Sequence, residues 1–193
     1  MSSIFSDPFF RRGSTLLGGE LIEVDPNTGS PVAGGEIVGQ VKVFQDVNPV
    51  GRGERYSNRL VYCVAARYKG ADVADASTVA GSAYIFSPTA PLSEFSTLAT
   101  ASNVTDGIEV GVLDEYLTGV LRTNDVVWLV VKGPTSIKQT ATAINAGVSV
   151  QASATAGSIA VLSTGVRIGT QIAGAASPAA VGLVRVNLHS DQI

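Results

Sequence analysis

The run Val126-Val127-Trp128-Leu129-Val130-Val131-Lys132 (VVWLVVK) decides how the rest of the chain is read. Four of its six apolar residues are valines, whose branched side chains crowd a helix turn but fit a pleated strand. Apolar residues occupy both alternating faces, so the strand is expected to be covered on both sides and to be the most buried in the fold. Trp128 is its largest side chain. Thr123-Asn124-Asp125 forms a turn that launches the run, and Gly133-Pro134 is expected to stop it. Six apolar residues are about a third of what a membrane-spanning helix needs.

Toward the N-terminus the period is two. Ile37, Gly39, Val41 and Val43 are expected on one face, with Gln40, Lys42 and Phe44 on the other. Asn48-Pro49 ends that run, and Gly51-Arg52-Gly53 makes a loop. Leu60–Tyr68 (LVYCVAARY) and Ser82–Phe86 read as strands, the second closed by Ser87-Pro88. Pro88 and Pro91 bracket an expected surface loop. Ile108–Val112 alternates after the Asp106-Gly107 turn, and Leu113–Leu121 could form a helical turn weakened by Gly119.

Toward the C-terminus, Gln139 to Gly182 carries a single charge, Arg167. Val148–Ala152 and Ile159–Leu162 read as short strands, and Ile172–Ala180 as a brief helix limited by Gly174 and Pro178. Gly182–Leu188 gives a last strand with Val184, Val186 and Leu188 inward. Short strands separated by Gly, Pro and Asp turns imply an all-β fold, a compact β-barrel or sandwich domain. This domain spans residues 36–193, with a distinct C-terminal half from about residue 118 as one option.

Residues 1–35 read as an extended N-terminal arm. Phe5, Phe9 and Phe10 are half of the 6 phenylalanines in the chain, and Arg11 and Arg12 follow them directly. Exposed aromatics seldom occur in a tail without a role. Three readings stand: Phe9 and Phe10 fold back on their own domain, the arm docks on a neighbouring chain, or the arm is disordered. The second reading makes Phe5, Phe9, Phe10, Arg11 and Arg12 the candidate partner-binding residues. Asp25-Pro26-Asn27-Thr28-Gly29 is a turn within the arm, since Pro presets φ and Gly accepts positive φ.

At 193 residues with 45% hydrophobic side chains the chain can bury one substantial core. Only 15% of residues are charged, against about a quarter in an average protein. The net charge of −3 offers no electrostatic attraction for nucleic acid or an anionic membrane. Residues 126–193 carry Lys132, Lys138, Arg167 and Arg185 against Asp191 alone. A long uncharged surface of small residues is easily desolvated and suits contact with other chains.

Chemistry finds few reagents in this chain. Cys63 and His189 are the only cysteine and the only histidine, which excludes an intramolecular disulfide and a structural zinc site of four Cys or His ligands. Cys63 lies in an apolar run and reads as a small buried hydrophobe. His189 reads as solvated or hydrogen-bonded at a strand end rather than as a general base. Asp114-Glu115 and the Glu20, Glu23, Asp25 group read as surface acids. Gly51-Arg52-Gly53 lacks the further glycine and the helix of a phosphate loop. Asn103-Val104-Thr105 matches a glycosylation acceptor, without the secretion signal that would give it meaning. No catalytic residue, cofactor or metal is expected. Tyr56, Tyr68, Tyr84 and Tyr116, which a carbohydrate-binding module would expose in loops, are scattered through strands where packing is the expected role.

Five segments occur in a fixed order: TGVL at Thr118–Leu121, NDVVWLVVKGP at Asn124–Pro134, AINAGVSV at Ala143–Val150, VRIGTQIAGA at Val166–Ala175 and GLVRVNL at Gly182–Leu188. This order resembles the capsid decoration (cement) proteins of tailed bacteriophages. In those proteins a strand ending in a Gly turn precedes an alanine-isoleucine segment with a glycine, a helix-like small-residue piece and a terminal strand. The chain departs from the pattern at Val148, where an acidic or polar residue usually follows the glycine. The resemblance implies a clip- or barrel-like β domain in a structural virion protein, made in the host cytoplasm, that sits on the outer capsid surface and bridges capsomers. Its partners would be the major capsid protein and itself, as a homo-oligomer with a trimer favoured. A head-fibre or tail component, or a ligand-binding β module, is the alternative.

Overall fold

A computed structural model of the chain describes residues 23–24, 31–32, 38–45, 60–106, 108–113, 117, 120–140, 144–172 and 183–188. The fold is all-β. Its strands are β1 (Glu23–Val24), β2 (Pro31–Val32), β3 (Val41–Gln45), β4 (Leu60–Tyr68), β5 (Ala83–Ser87) and β6 (Ala90–Leu98). They continue with β7 (Val110–Leu113), β8 (Val126–Lys138), β9 (Ser149–Ala152), β10 (Ile159–Val161), β11 (Gly169–Gln171) and β12 (Leu183–Leu188). Helix among the described residues is confined to the 3-10 turn Ala76–Thr78. β1 and β2 pair with each other across the Asp25–Gly29 segment.

Nine of the other ten strands form two closed rings that share β8, and β3 pairs on the outside of β4. In the first ring β8 pairs with β7, β7 with β5, β5 with β6, β6 with β4, and β4 returns to β8. In the second, β8 pairs with β12, β12 with β11, β11 with β9 and β9 with β10. A parallel bridge between Ile159 of β10 and Gln139, the residue after β8, closes it. A ring with an odd number of strands cannot alternate direction throughout, so each must contain one parallel contact. These contacts are β4–β6 in the first ring and Gln139–Ile159 in the second. Closure removes free edges, which would otherwise template association.

The strand β8 runs 13 residues, not the seven read from the sequence. Gly133-Pro134 does not stop it. Gly133 takes φ +97°, bending the strand so that Tyr62–Arg67 of β4 flank its first half while its second half pairs β12. A Cβ at this position would collide with the carbonyl oxygen of Leu60. Pro134 still lies opposite Asn187 in the ladder.

Register fixes which side chains fill the first ring. Val64 lies opposite Leu129, Ala66 opposite Val127, and Leu113 opposite Leu129. The rings of Tyr68 and Tyr84 pack on Phe95 at centroid distances of 5.4 and 5.1 Å. The outward face is buried too: Cys63, Ala65, Ala83, Val112, Trp128 and Val130 are all in the core. The both-sided burial expected of VVWLVVK is therefore observed, with Trp128 only 1% exposed. Gly111 permits the close packing of β7 on β8, because a Cβ there would lie 2.9 Å from Leu129 Cβ and 3.1 Å from the Phe86 ring.

Inside the second ring lie Ile137, Val150, Ala152, Ile159 and Leu188, together with Gln139 and Gln171. The rings are also tied beyond β8. Gly157 donates to the Ala99 carbonyl and accepts from the Ala83 amide, both at 2.9 Å, while Ala101 donates to Ser153 at 2.9 Å.

Several local expectations need correction. The surface loop expected between Pro88 and Pro91 is only the exposed two-residue turn Pro88-Thr89, since β6 begins at Ala90 and pairs back on β5 with irregular register. A proline early in a strand needs only a position where no ladder amide is required. The strand β11 was not foreseen in the VRIGTQIAGA segment. Most of the Leu113–Leu121 helical turn and the Ile172–Ala180 helix lie outside the described residues.

Candidate functional site

The arm residues Phe5, Phe9, Phe10, Arg11 and Arg12 lie outside the described residues, as do Gly51–Gly53, Tyr56, Asp114, Glu115, Tyr116 and His189. Glu23 falls in β1, while Glu20 and Asp25 are likewise outside. The described residues supply two further places to examine, a polar end of the first ring and an apolar lip at its mouth.

The polar end is built where β4 leaves the ring and the Thr123-Asn124-Asp125 turn enters β8. Asn124 has φ +75°. Its backbone amide donates to the Tyr68 carbonyl at 2.7 Å and its Oδ1 accepts from Lys69 Nζ at 3.0 Å. Lys69 also faces Glu94 of β6 at 3.5 Å. Asp72 Oδ1 accepts from the Thr123 amide at 2.8 Å, and Asp125 Oδ2 from the Arg122 amide at 2.7 Å. These carboxylates satisfy backbone donors at a turn, the usual task of Asp in such positions. The lysine joins β4, β6 and the turn, and so pins the parallel seam of the ring. Asp75 plays a similar part at the 3-10 turn, where hydrogen bonds from the Ser77 hydroxyl and amide hold its carboxyl below the usual range.

Asn103, of the glycosylation-like triplet, is turned inward on the chain. Its Nδ2 donates to the Leu98 carbonyl at 2.9 Å and its Oδ1 accepts from the Thr100 amide at 2.6 Å. Tyr68 and Tyr84 belong to the core rather than to an exposed aromatic platform.

The apolar lip follows from register. Val41 pairs with Val64, Val43 with Tyr62 and Gln45 with Leu60. Residues opposite one another share a face, so Val41, Val43, Tyr62 and Leu60 continue the face on which Val64 fills the ring. Beyond the ring mouth this face is open: Val41 is 43% and Leu60 47% exposed, with Val43 and Tyr62 half-buried. The Lys132 ammonium lies 5.5 Å from the centre of the Tyr62 ring. Among the described residues the outer edge of β3 pairs with no strand. An edge strand with apolar neighbours is the arrangement that strand addition by a second chain exploits. The sequence analysis missed this lip, because the alternation of residues 37–44 could show that a face is apolar but not that it runs past the ring that buries it.

No protein-family model matches the chain, and a search of curated proteins also finds no match.

Proposed function

We propose that the chain is a structural virion protein that binds the outer surface of a phage capsid and cements neighbouring capsomers. The observation that carries this reading is the apolar lip of Val41, Val43, Leu60 and Tyr62 beside an edge of β3 that, among the described residues, pairs with no strand. The described ring strands close on one another while this edge stays apolar, which offers a defined place for another chain. The charge-poor stretch from Gln139 to Gly182 supports the reading, since small neutral side chains are cheaply desolvated against a shell. So does the order of segments shared with capsid decoration proteins. The mechanism is mechanical: an oligomer, with a trimer favoured, makes several modest contacts to the major capsid protein, and avidity makes them sufficient.

The test is binding to purified empty capsids, read by co-sedimentation and electron microscopy. Wild-type protein is expected on the outer surface at fixed positions. The double variant Val41→Lys, Leu60→Lys is expected to stay folded by circular dichroism and to lose occupancy. Absence of wild-type binding to any capsid would remove the proposal.

A further inference from the structure

The second ring closes at its weakest point around a polar side chain. Its seam is one isolated bridge, Gln139 to Ile159, with the Thr140 amide donating to the Ile159 carbonyl at 3.1 Å. The first ring, by comparison, is held at its parallel seam by two residue pairs and by Lys69, whose amide donates to Phe95 and whose ammonium faces Glu94. Gln139 is two residues beyond Ile137 on the same strand path and opposite Ile159, so its side chain shares the face of two residues that are fully buried. It is itself 1% exposed.

Among the described residues neither amide atom of Gln139 has a hydrogen-bond partner: Nε2 and Oε1 are both buried and unmatched. Buried polar side-chain atoms are nearly always satisfied, by protein or by ordered water. A glutamine could be exchanged for leucine or methionine at little cost in shape, so an amide retained at an apolar seam needs an occupant that uses it. The occupant must be small enough for a fully enclosed place, must accept from Nε2 or donate to Oε1, and must require no charge. Water meets all three conditions, and a buried water usually makes about three hydrogen bonds.

We propose that Gln139 is the protein ligand of an internal water that completes the seam of the second ring. The same molecule acts as a hydrogen-bonded link between the end of β8 and β10, which one isolated bridge joins there. This inference is independent of the proposed function, since it concerns the fold of the free protein.

Two measurements decide it. A crystal structure of the full chain, at about 1.5 Å or better, is expected to show a water within roughly 2.7–3.2 Å of Oε1 or Nε2. The variant Gln139→Met keeps the size but removes donor and acceptor, leaving the water's other partners unmatched. Its melting temperature is expected to fall by about 2–4 °C or more. A dry site, with the amide bonded to a protein group instead, would overturn the proposal. So would a Gln139→Met protein that melts higher than wild type, as relief of an unused amide demands. Should the variant not fold, density at the wild-type amide decides alone.

Discussion

Trp128 and Gly133 lie five residues apart on one strand and carry opposite kinds of constraint. Trp128 fills space on the outward face of the first ring, opposite Ala65, whose methyl group leaves the indole its room. Trp128→Ala is expected to cost roughly 3–5 kcal/mol in urea unfolding, the usual loss for a large aromatic in a packed site. Gly133 instead leaves space empty. Gly133→Ala places a Cβ against the Leu60 backbone at a positive φ, and is expected to cost about 1–3 kcal/mol by the same measurement. Near-wild-type stability of either variant would contradict the packing described. Titration gives a third residue-scale prediction. Burial holds the Tyr84 phenol far above its usual range, with Tyr68 adding to the shift, and burial with the nearby Asp72 raises Tyr68. A phenol whose pKa is raised on folding stabilises the fold fully below its unfolded pKa, near 10. That contribution is lost as pH climbs from there toward the folded value. Lys138 works the other way, since burial lowers its pKa and folding is relieved when the amine discharges. The larger tyrosine shift governs the sign, so urea midpoints are expected to decline above about pH 10. Midpoints that hold steady or rise through this range would show that the buried phenols do not control alkaline stability.

At the level of elements, β8 holds both rings, and hydrogen exchange should report it. Amides of Val127 to Val131 are expected to exchange only through global unfolding, while β3 and β10 open earlier because each lies at an edge or a thin seam. Equal protection in β10 and β8 would contradict the weak closure at Gln139. Much of this strand set was legible from residue pattern alone. LVYCVAARY matches β4 from end to end, and GLVRVNL contains β12 entire, because a β-branched run bounded by turn residues has few other uses. The failures have physical causes. Gly133-Pro134 reads as a terminator, yet a glycine that kinks a strand looks the same in sequence as one that ends it. The prolines at 88 and 91 hid β6, since the turn between them is shorter than two prolines usually imply. GTQ at β11 is held by partners on both sides rather than by any propensity of its own. Ring closure was invisible for a deeper reason: parallel seams join residues such as Arg67 and Glu94 whose pairing no local pattern encodes.

For the whole molecule, the candidate partner-binding surface divides between an arm that composition made conspicuous and a lip that only register could expose. Phe5, Phe9, Phe10, Arg11 and Arg12 stood out because aromatics and cations cluster ahead of a Gly-rich stretch. Val41 and Leu60 did not, since each belongs to a run that resembles an ordinary buried strand. Burial of one phenylalanine contributes roughly 1.5–3 kcal/mol. Ordering each flexible residue costs on the order of 1–2 kcal/mol in backbone entropy. Three phenylalanines therefore cannot by themselves fix a dozen residues on a partner, and the arm must add backbone hydrogen bonds, by lying in a groove or joining a sheet edge. Contacts at the lip would hold the body while the arm adds to a complex already formed, so the arm acts at a high effective concentration. Deleting residues 1–12 is then expected to leave the β fold and its self-association intact by circular dichroism and sedimentation. Occupancy on empty capsids should fall sharply but not to nothing, and should vanish only when Val41→Lys and Leu60→Lys are added. Decoration by the truncated chain at wild-type occupancy would show that the arm is no anchor. Complete loss from truncation alone would place the whole attachment in the arm and leave the lip to contacts between copies of the chain.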